Sequence, residues 1–334
     1  GRAMFGVAEA RERAEVFREL TAMVHAGVSI GESLTTVAAG MRPSRLRGGL
    51  LRAGYDASGS HEITESFEQH PHVFSALELA MLGVGERAGR LEMSLRAIAD
   101  YHERDFELRS TLQRELTYPI ILLCALILIP LGGRAAIAWI TDGVGAAVTI
   151  AASTLLGYAI FLGITAIVVY LIIRNARQSS AGRLWLDQLK LSVPLIGPVA
   201  RKVALARFCR ALAALYSAGV LMGSSLRLAG EASANEVIAR KIEGVARAVD
   251  TGGSLSEALR KSALMPGTVL QMLTTGERTG DVDAMAEHVA RHLETEAQTA
   301  ISAMAVSITP IAVVIAGIIV AIMVISFYGG LYSF

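Results

Sequence analysis

Apolar residues recur at helical spacing through the polar parts of this chain, and three other stretches are apolar throughout. In residues 16–26, for example, apolar side chains return every three or four positions, which predicts an amphipathic helix. Alternation with the period of a strand is almost absent. The pattern therefore predicts an all-α protein, with helical bundles in the charged segments 1–117 and 174–300.

The three apolar stretches predict three membrane-spanning helices. A span needs about 20 mainly apolar residues, and residues 118–140, 144–173 and 301–328 each meet that length. Arg134 lies close to the far end of the first stretch, where a long basic side chain can reach the headgroups. Pro310 interrupts the third, and a spanning helix tolerates such a kink when its neighbours satisfy the freed carbonyl.

The basic residues orient these spans. Arginine and lysine cluster just before the first span and just after the second: Arg104, Arg109, Arg114, Arg174, Arg177, Arg183 and Lys190. The loop between these two spans carries only Asp142. Because positive charge marks the cytoplasmic side, we expect residues 1–117 and 174–300 to be cytoplasmic domains and the tail 329–334 to lie outside. Residues 1–16 lack the apolar core of a secretory signal, which agrees with a cytosolic first domain.

The two charged segments contain an internal repeat. Residues 20–34 (LTAMVHAGVSIGESL) match residues 212–226 (LAALYSAGVLMGSSL) at an offset of 192. The sequence Gly-Glu-Arg-x-Gly then occurs at 85–89 and at 276–280, where the offset has become 191. Such ordered matches predict two copies of one unit, each a bundle of about six helices that leads into a span.

Each copy begins with a pair of helices joined at a glycine. Gly27 and Gly219 occupy the place of a left-handed C-cap, a conformation that favours glycine. In the first copy Ser29 can cap the next helix, and Glu32 completes a Ser-x-x-Glu box. Leu221 takes the place of that serine in the second copy, so we expect the corresponding helix to start without this cap.

Three features of the chain resemble the type II secretion system F protein family, which includes the platform proteins of type IV pili. One is the helix pair at residues 26–34 and 218–226, and another is the Gly-Glu-x-x-Gly turn of both copies. The third is the linker LKLSVPLIGP at residues 189–198, ahead of Arg201 and Lys202. The resemblance spans nearly the whole chain. It rests on the order of these motifs, which is duplicated and combined with three spans. The region ahead of the first repeat is short, where many relatives carry an extra segment.

The resemblance implies a multi-pass platform in the inner membrane, with its large domains in the cytoplasm. Such a platform couples a cytoplasmic hexameric assembly ATPase to the assembly of pilin-like subunits in type II secretion or type IV pilus biogenesis. Its remaining implied partners are other inner-membrane assembly proteins, further copies of the chain in a homo-oligomer, and the lipid bilayer. A tight-adherence or archaellum-type platform is an alternative within this class.

A small membrane transporter or a signalling scaffold would be a different class of protein. A transporter with repeated halves is expected to carry charged residues at mid-depth in its spans, and these spans carry none there. A signalling scaffold would be expected to show sustained heptads or a kinase or cyclase signature, which are missing. The platform interpretation therefore accounts best for the pattern.

The positions that the two copies share are the candidate functional residues: Gly27, Gly85, Glu86, Gly89, Pro119, Gly219, Gly276, Glu277, Gly280 and Pro310. The Gly-Glu-x-x-Gly segment lacks the spacing of a nucleotide-binding loop, and the chain contains no GxxxxGK[ST] motif. We therefore interpret its glycines as a tight turn between helices. Glu86 and Glu277 can cap the free N–H groups of the next helix or contact a partner, and we favour the cap. The two prolines each stand at the mouth of a span.

Composition excludes several other classes of protein. The net charge of +1 gives no concentrated basic surface for nucleic acid. The two cysteines, Cys124 and Cys209, do not make a disulfide scaffold. His288 and His292 stand four residues apart, a spacing that can bind zinc, but no HExxH motif is present and we interpret them as a solvated helix face. No nucleophile–base arrangement stands out, so we expect neither an enzyme nor a bound cofactor or metal.

Overall fold

The described residues form α-helices and no strand, so the predicted all-α fold class is confirmed. The computed structural model describes residues 6–58, 63–70, 72–142, 179–193 and 196–331, together with scattered positions between 145 and 176. The helices of the first copy are α1 (Val7–His25), α2 (Ile30–Gly40), α3 (Arg45–Ser58), α4 (Ile63–Glu68), α5 (Ala76–Arg87) and α6 (Leu91–Asp142).

The second copy repeats this order of helices. They are α8 (Ile196–Ser217), α9 (Met222–Ala232), α10 (Glu236–Asp250), α11 (Leu255–Ser262), α12 (Gly267–Thr279) and α13 (Val282–Leu331), and α7 (Ser180–Ser192) precedes them. Each copy thus contains six helices within the described residues, as the repeat predicts.

The chain divides into two compact units that do not follow the order of the sequence. The first unit contains Gly1–Thr111 and Gly197–Gln298, so the two copies of the repeat pack together. The second unit contains Leu112–Ile196 and Thr299–Phe334, which include the three predicted spans and the linker helix α7. The linker, placed with the second charged segment 174–300 on the sequence pattern, belongs to this second unit.

The last helix of each copy is far longer than the others. α6 runs for 52 residues and α13 for 50, which corresponds to about 75 Å each at 1.5 Å per residue. Each starts in a charged segment and continues as one helix into an apolar one. Pro119 and Pro310 lie inside these helices rather than at their ends.

Within the described residues, one helical stretch, Ala284–Ile322, has the length and the apolar composition to cross a membrane. It belongs to α13 and overlaps the third predicted span, 301–328. Its large apolar side chains are exposed at Ile311, Val313, Val314, Ile318 and Ile322. A water-soluble surface rarely carries such an apolar patch. Most side chains of the spans predicted at 118–140 and 144–173 lie outside the described residues, including those of Pro119, Cys124 and Arg134.

The predicted helix ends at the glycines are present in both copies. Gly27 has φ +84° and Gly219 has φ +88°. The N–H of Val28 donates to the carbonyl of Met23, and that of Val220 donates to Leu215, both at 3.0 Å. These are the six-to-one bonds of a Schellman cap.

The starts of the following helices differ between the copies, as the sequence predicts. The Ser29 hydroxyl accepts a hydrogen bond from the N–H of Glu32 at 3.4 Å, whereas Leu221 provides no side-chain cap. A complete capping box forms instead at Ser75 and Glu78, at the start of α5.

Candidate functional site

The Glu86 carboxylate, at the end of α5, holds the start of the short helix α4. Its Oε1 accepts a hydrogen bond from the N–H of Ile63 at 2.5 Å, and its Oε2 accepts one from the N–H of Thr64 at 2.9 Å. The Thr64 hydroxyl donates to the same Oε2 at 2.6 Å. The first N–H groups of a helix have no partner within the helix, so this carboxylate satisfies them from outside.

Glu277 makes the same contacts in the second copy. Its carboxylate accepts hydrogen bonds from the N–H groups of Leu255 and Ser256, at 2.8 and 3.0 Å, at the start of α11. The Ser254 hydroxyl adds a third at 2.9 Å. Partial burial opposes ionisation of Glu277, but the hydrogen bonds from Ser256, Ser254 and Leu255 outweigh it and lower the pKa. Both carboxylates therefore cap the preceding helix, whereas the sequence pattern suggested the next one.

The glycines of the Gly-Glu-x-x-Gly turn let the following helix approach closely. A Cβ on Gly85 would lie 2.1 Å from the Ser94 hydroxyl oxygen, and one on Gly276 would lie 2.6 Å from Met285 Cβ. The closing glycine of each turn has a positive φ, +64° at Gly89 and +76° at Gly280. An alanine would clash at the first glycine of the turn and would be strained at the last. The same two constraints apply in both copies, which accounts for the glycines at both ends of each turn.

The candidate residues do not converge on one ligand cleft. Each turn serves its own copy, although Gly219 of the second copy lies against Val84, one residue before Gly85. Pro119 and Pro310 lie in the second compact unit. His288 and His292 lie on the outer part of α13, beside Arg291 and Glu296. The role of Glu86 and Glu277 in partner contact stays a prediction.

Sequence reasoning missed a buried ionic cluster in the first copy. Glu78 on α5 is fully buried, and its Oε1 lies 2.7 Å from both Arg13 Nη1 and His102 Nε2. Its Oε2 accepts hydrogen bonds from the N–H and the hydroxyl of Ser75, at 2.6 and 2.9 Å. The Phe17 ring stacks on His102 with 5.5 Å between ring centroids. The cluster therefore joins α1, α5 and α6 in the core.

The partners of Glu78 keep it ionised despite its burial. Burial alone raises a carboxyl pKa, but the hydrogen bond from His102 and the positive charge of Arg13 outweigh it. The net effect lowers the pKa of Glu78 from 4.5 to about 2. A carboxylate can only accept hydrogen bonds, so Nε2 of His102 carries the proton in this contact.

In the second copy, apolar residues replace the cluster. At the offsets of the repeat, Arg13, Glu78 and His102 correspond to Leu205, Val269 and Leu293. All three apolar side chains are buried. The same place in the bundle is therefore filled by ions in one copy and by hydrocarbon in the other.

The second copy has its own buried cluster one turn away. Arg210 donates to both oxygens of Glu294, with both distances 2.6 Å, and to Glu287 at 2.7 and 2.9 Å. In the first copy, Arg18 and Glu103 occupy the positions of Arg210 and Glu294, and they form only an exposed pair at 3.2 Å. The signal in the sequence was the pair Arg207 and Arg210 within the otherwise apolar residues 203–215 of α8, a pattern that indicates buried charges in need of partners.

One ion pair connects the two copies inside the first compact unit. Arg207 of α8 places Nε 3.1 Å from Oδ1 of Asp105 on α6, without the alignment of a hydrogen bond. Arg109 binds Asp105 as well, at 2.6 Å. Burial opposes ionisation of Asp105, but the two guanidinium groups lower its pKa overall. The interface between the copies is thus polar as well as apolar.

A cleft of about 540 Å³ lies beside this interface. Its lining includes Asp100, Tyr101 and Arg104 from α6, Arg210 and Ala214 from α8, and Glu287 from α13. Burial, together with the charge of Glu103, raises the pKa of Asp100. Arg104 is paired with Glu107, and Arg210 is paired with Glu287 and Glu294. The cleft is therefore a polar groove between helices.

Removing the capping carboxylates should destabilise each copy without abolishing its fold. We expect Glu86→Ala and Glu277→Ala each to cost about 1–2 kcal/mol, because two N–H groups at a helix start lose their partner. Thermal unfolding of the full chain in detergent measures the loss. Arg87→Ala, an exposed neighbour, serves as the control and should change little. A glutamate variant that melts like the parent protein but blocks assembly would contradict the capping role and indicate partner contact.

The two buried clusters predict an asymmetric response to core mutations. Glu78→Val alone should cost about 3–5 kcal/mol, because it removes the buried carboxylate that binds both the Arg13 guanidinium and Nε2 of the buried His102 ring. The triple variant Arg13→Leu/Glu78→Val/His102→Leu copies the apolar set of the second copy, and it should recover at least half of that loss. Denaturant or thermal unfolding measures both. A triple variant less stable than the single one would show that the apolar set does not fit the first copy.

Acid should weaken the first copy through Glu78. Its folded-state pKa lies below its unfolded value, so the carboxylate stabilises the fold fully above about pH 4.5, and this stabilisation is lost as the pH falls toward about 2. Glu277 acts in the same direction. We expect Tm to fall between about pH 5 and pH 2.5, and to fall less steeply in the triple variant, which lacks Glu78. Parallel curves for the two proteins would contradict this assignment.

Comparison with known proteins agrees with the duplicated architecture. The family model described as type II secretion system (T2SS), protein F matches residues 16–137 and again residues 208–330. The two matched segments coincide with the two copies of the repeat and the helices that extend from them.

Individual relatives come from both secretion and pilus systems. The type IV pilus assembly protein TapC of Aeromonas hydrophila is 29% identical over 94% of this chain and 79% of its own length. The type II secretion system protein F of Vibrio cholerae is 29% identical over 81% of this chain and 69% of its own length. The type IV pilus assembly protein PilC of Thermus thermophilus is 28% identical over 95% of this chain and 80% of its own length. With both of its copies matched by the family model, this chain belongs to the type II secretion system protein F family.

Proposed function

We propose that this protein is an inner-membrane platform that couples a cytoplasmic hexameric assembly ATPase to the assembly of pilin-like subunits. The observation that supports it most is the double match to the protein F family, in which each matched copy ends in a helix that continues into an apolar segment. Relatives named for type II secretion and for type IV pilus assembly align over 81% or more of this chain.

In this proposal the chain crosses the membrane three times, at residues 118–140, 144–173 and 301–328. The basic residues that flank the first two spans support a cytoplasmic location for residues 1–117 and 174–300. The exposed isoleucines and valines of α13 suit contact with lipid. The tail 329–334 then lies on the far side of the membrane. Small residues within the spans suit close packing against other spans, including those of pilin-like subunits, other inner-membrane assembly proteins and further copies of the chain.

The proposed mechanism is mechanical. A continuous helix resists bending, so a force applied to the charged part of α6 or α13 reaches the apolar part of the same helix. Buried polar contacts fix the charged parts of both helices in their bundles: a hydrogen bond from His102 of α6 to Glu78, and an ion pair of Glu294 of α13 with Arg210. A bundle held this way moves as one body when an ATPase pushes or turns it. This mechanism depends on rigid helices and does not use a catalytic group of this chain.

Breaking α6 between its charged and apolar parts should uncouple the ATPase from assembly. Gln113 lies on the exposed side of α6, and proline there removes a helix hydrogen bond and kinks the helix. We expect Gln113→Pro to bind the assembly ATPase of the same organism as the parent protein does, while fibre or secretion output in a deletion strain falls at least about tenfold. Co-purification from detergent and complementation of the deletion strain measure the two effects.

Gln113→Ala is the matched control, because alanine at the same position keeps the helix intact. It should restore assembly to the parental level. A Gln113→Pro protein that assembles normally would contradict transmission through α6. A parent protein that neither binds the ATPase nor restores assembly, but moves a solute across vesicle membranes, would contradict the platform function itself.

A further inference from the structure

The outer face of α3 carries an excess of arginine. Arg45 and Arg52 of α3 are exposed, Tyr55 is 70% exposed on the same helix, and Arg42 is exposed in the segment just before it. Asp56 is the one acidic residue between positions 41 and 58. A helix packed into a bundle normally shows mixed charges on its solvent face. This face is basic instead.

The equivalent helix of the second copy gives an internal comparison. On α10 both arginines are paired along the helix, Arg240 with Glu236 at 3.4 Å and Arg247 with Glu243 at 3.6 Å, and Lys241 binds the carbonyl of Ser262. On α3, no carboxylate among the described residues forms an ion pair with Arg42, Arg45 or Arg52. The same position in the fold is therefore charge-balanced in one copy and open to an anionic partner in the other.

The backbone beneath this face is held firmly. Leu46, Leu50 and Ala53 bury the inner side of α3 in the core of the first copy. A Cβ on Gly54 would lie only 2.8 Å from Thr35 Cγ2 of α2, so the two helices are in close contact. The exposed side chains of α3 thus project from a fixed helix. Such a face loses little conformational freedom when a partner binds.

The chemistry of this face suits an acidic protein surface. Guanidinium groups bind carboxylates through two parallel hydrogen bonds, and an exposed tyrosine is a frequent anchor in protein interfaces. Anionic lipid is the less suitable partner, because α3 lacks large exposed apolar side chains other than Tyr55 that could enter a bilayer. A chain that is already anchored by spanning helices also gains little from a few headgroup contacts.

We propose that the basic face formed by Arg45, Arg52 and Tyr55 of α3, together with Arg42 just before this helix, is the docking surface for an acidic patch of the cytoplasmic assembly ATPase. The inference rests on the proposed platform function and adds to it the place and the charge of the contact. It assigns this contact to the first copy, and α10 of the second copy takes no equivalent part.

A charge-reversal experiment tests the docking surface. The full chain is placed in phosphatidylcholine nanodiscs, and its affinity for the purified ATPase of the same organism is measured at low, intermediate and high salt. The variant Arg45→Glu/Arg52→Glu should weaken binding at least about tenfold and flatten the salt dependence, because it removes and reverses the attraction. Arg45→Gln/Arg52→Gln should fall between this variant and the parent protein.

The matched control is Arg240→Glu/Arg247→Glu on α10, which makes the same change in net charge. It should bind the ATPase within about twofold of the parent protein. Equal loss in both charge-reversed variants would overturn the inference, because it would reflect net charge alone. Melting temperatures of all variants confirm that each remains folded.

Two further outcomes separate this inference from the proposed function. If the parent protein binds the ATPase and the α3 variants bind equally well, the docking surface is wrong while the platform function stands. If the parent protein does not bind the ATPase at all, the coupling function fails and the inference fails with it. If the α3 variants keep ATPase binding but lose association with phosphatidylglycerol vesicles, the face binds membrane and the inference is overturned.

Discussion

A helix of six or eight residues makes few internal hydrogen bonds, so its first N–H groups must find partners elsewhere. α4 and α11 are such helices. The carboxylates of Glu86 and Glu277 bind their first N–H groups from the ends of α5 and α12. The glycine turn that follows each glutamate sends the chain directly into α6 or α13. The glutamate side chain thus joins two helices in each copy, the glycine turn joins the third, and the long helices begin from that junction.

The two copies use the same backbone arrangement but place their buried charges differently. The first copy buries Glu78 between Arg13 and His102, where the second copy has only apolar side chains. The second copy buries Arg210 with Glu294, where the first has an exposed pair. A buried pair is often no more stable than a well-packed apolar set. We therefore expect the two arrangements to differ little in stability.

Much of the fold could be predicted from the sequence because it depends on local signals. The helical period, the offset of the repeat and the left-handed glycines Gly27 and Gly219 are each set by residues close together in the chain. The absence of a serine cap at Leu221 was predictable for the same reason. The partners of Glu86 were not, because the helix that it caps lies 22 residues earlier in the sequence.

The ionic clusters were beyond sequence reasoning on one copy alone. Arg13 and Glu78 are 65 residues apart, and nothing local to either indicates the other. Comparison of the two copies provides the missing signal. Where a charged residue in one copy aligns with an apolar residue in the other, the surroundings of that position have diverged. Glu78 against Val269 is such a position. The sequence pattern also placed a boundary between each charged helix and its span, whereas α6 and α13 each continue across it, because charge and hydropathy change along a helix without interrupting its backbone.

The unequal charges of the two bundles have a consequence for how the chain assembles itself. Two similar bundles within one chain can exchange elements during folding. If α1 packed into the second bundle, Arg13 would meet Val269 and Leu293 and would lose the buried Glu78 carboxylate, keeping only the exposed Glu9 of its own helix. If α8 packed into the first bundle, Leu205 would face Glu78 and leave that carboxylate without its guanidinium partner. Both exchanges remove the pairing of the Arg13 guanidinium with the buried Glu78 carboxylate, which is unfavourable. The divergent clusters thus favour each first helix in its own bundle over an exchanged arrangement.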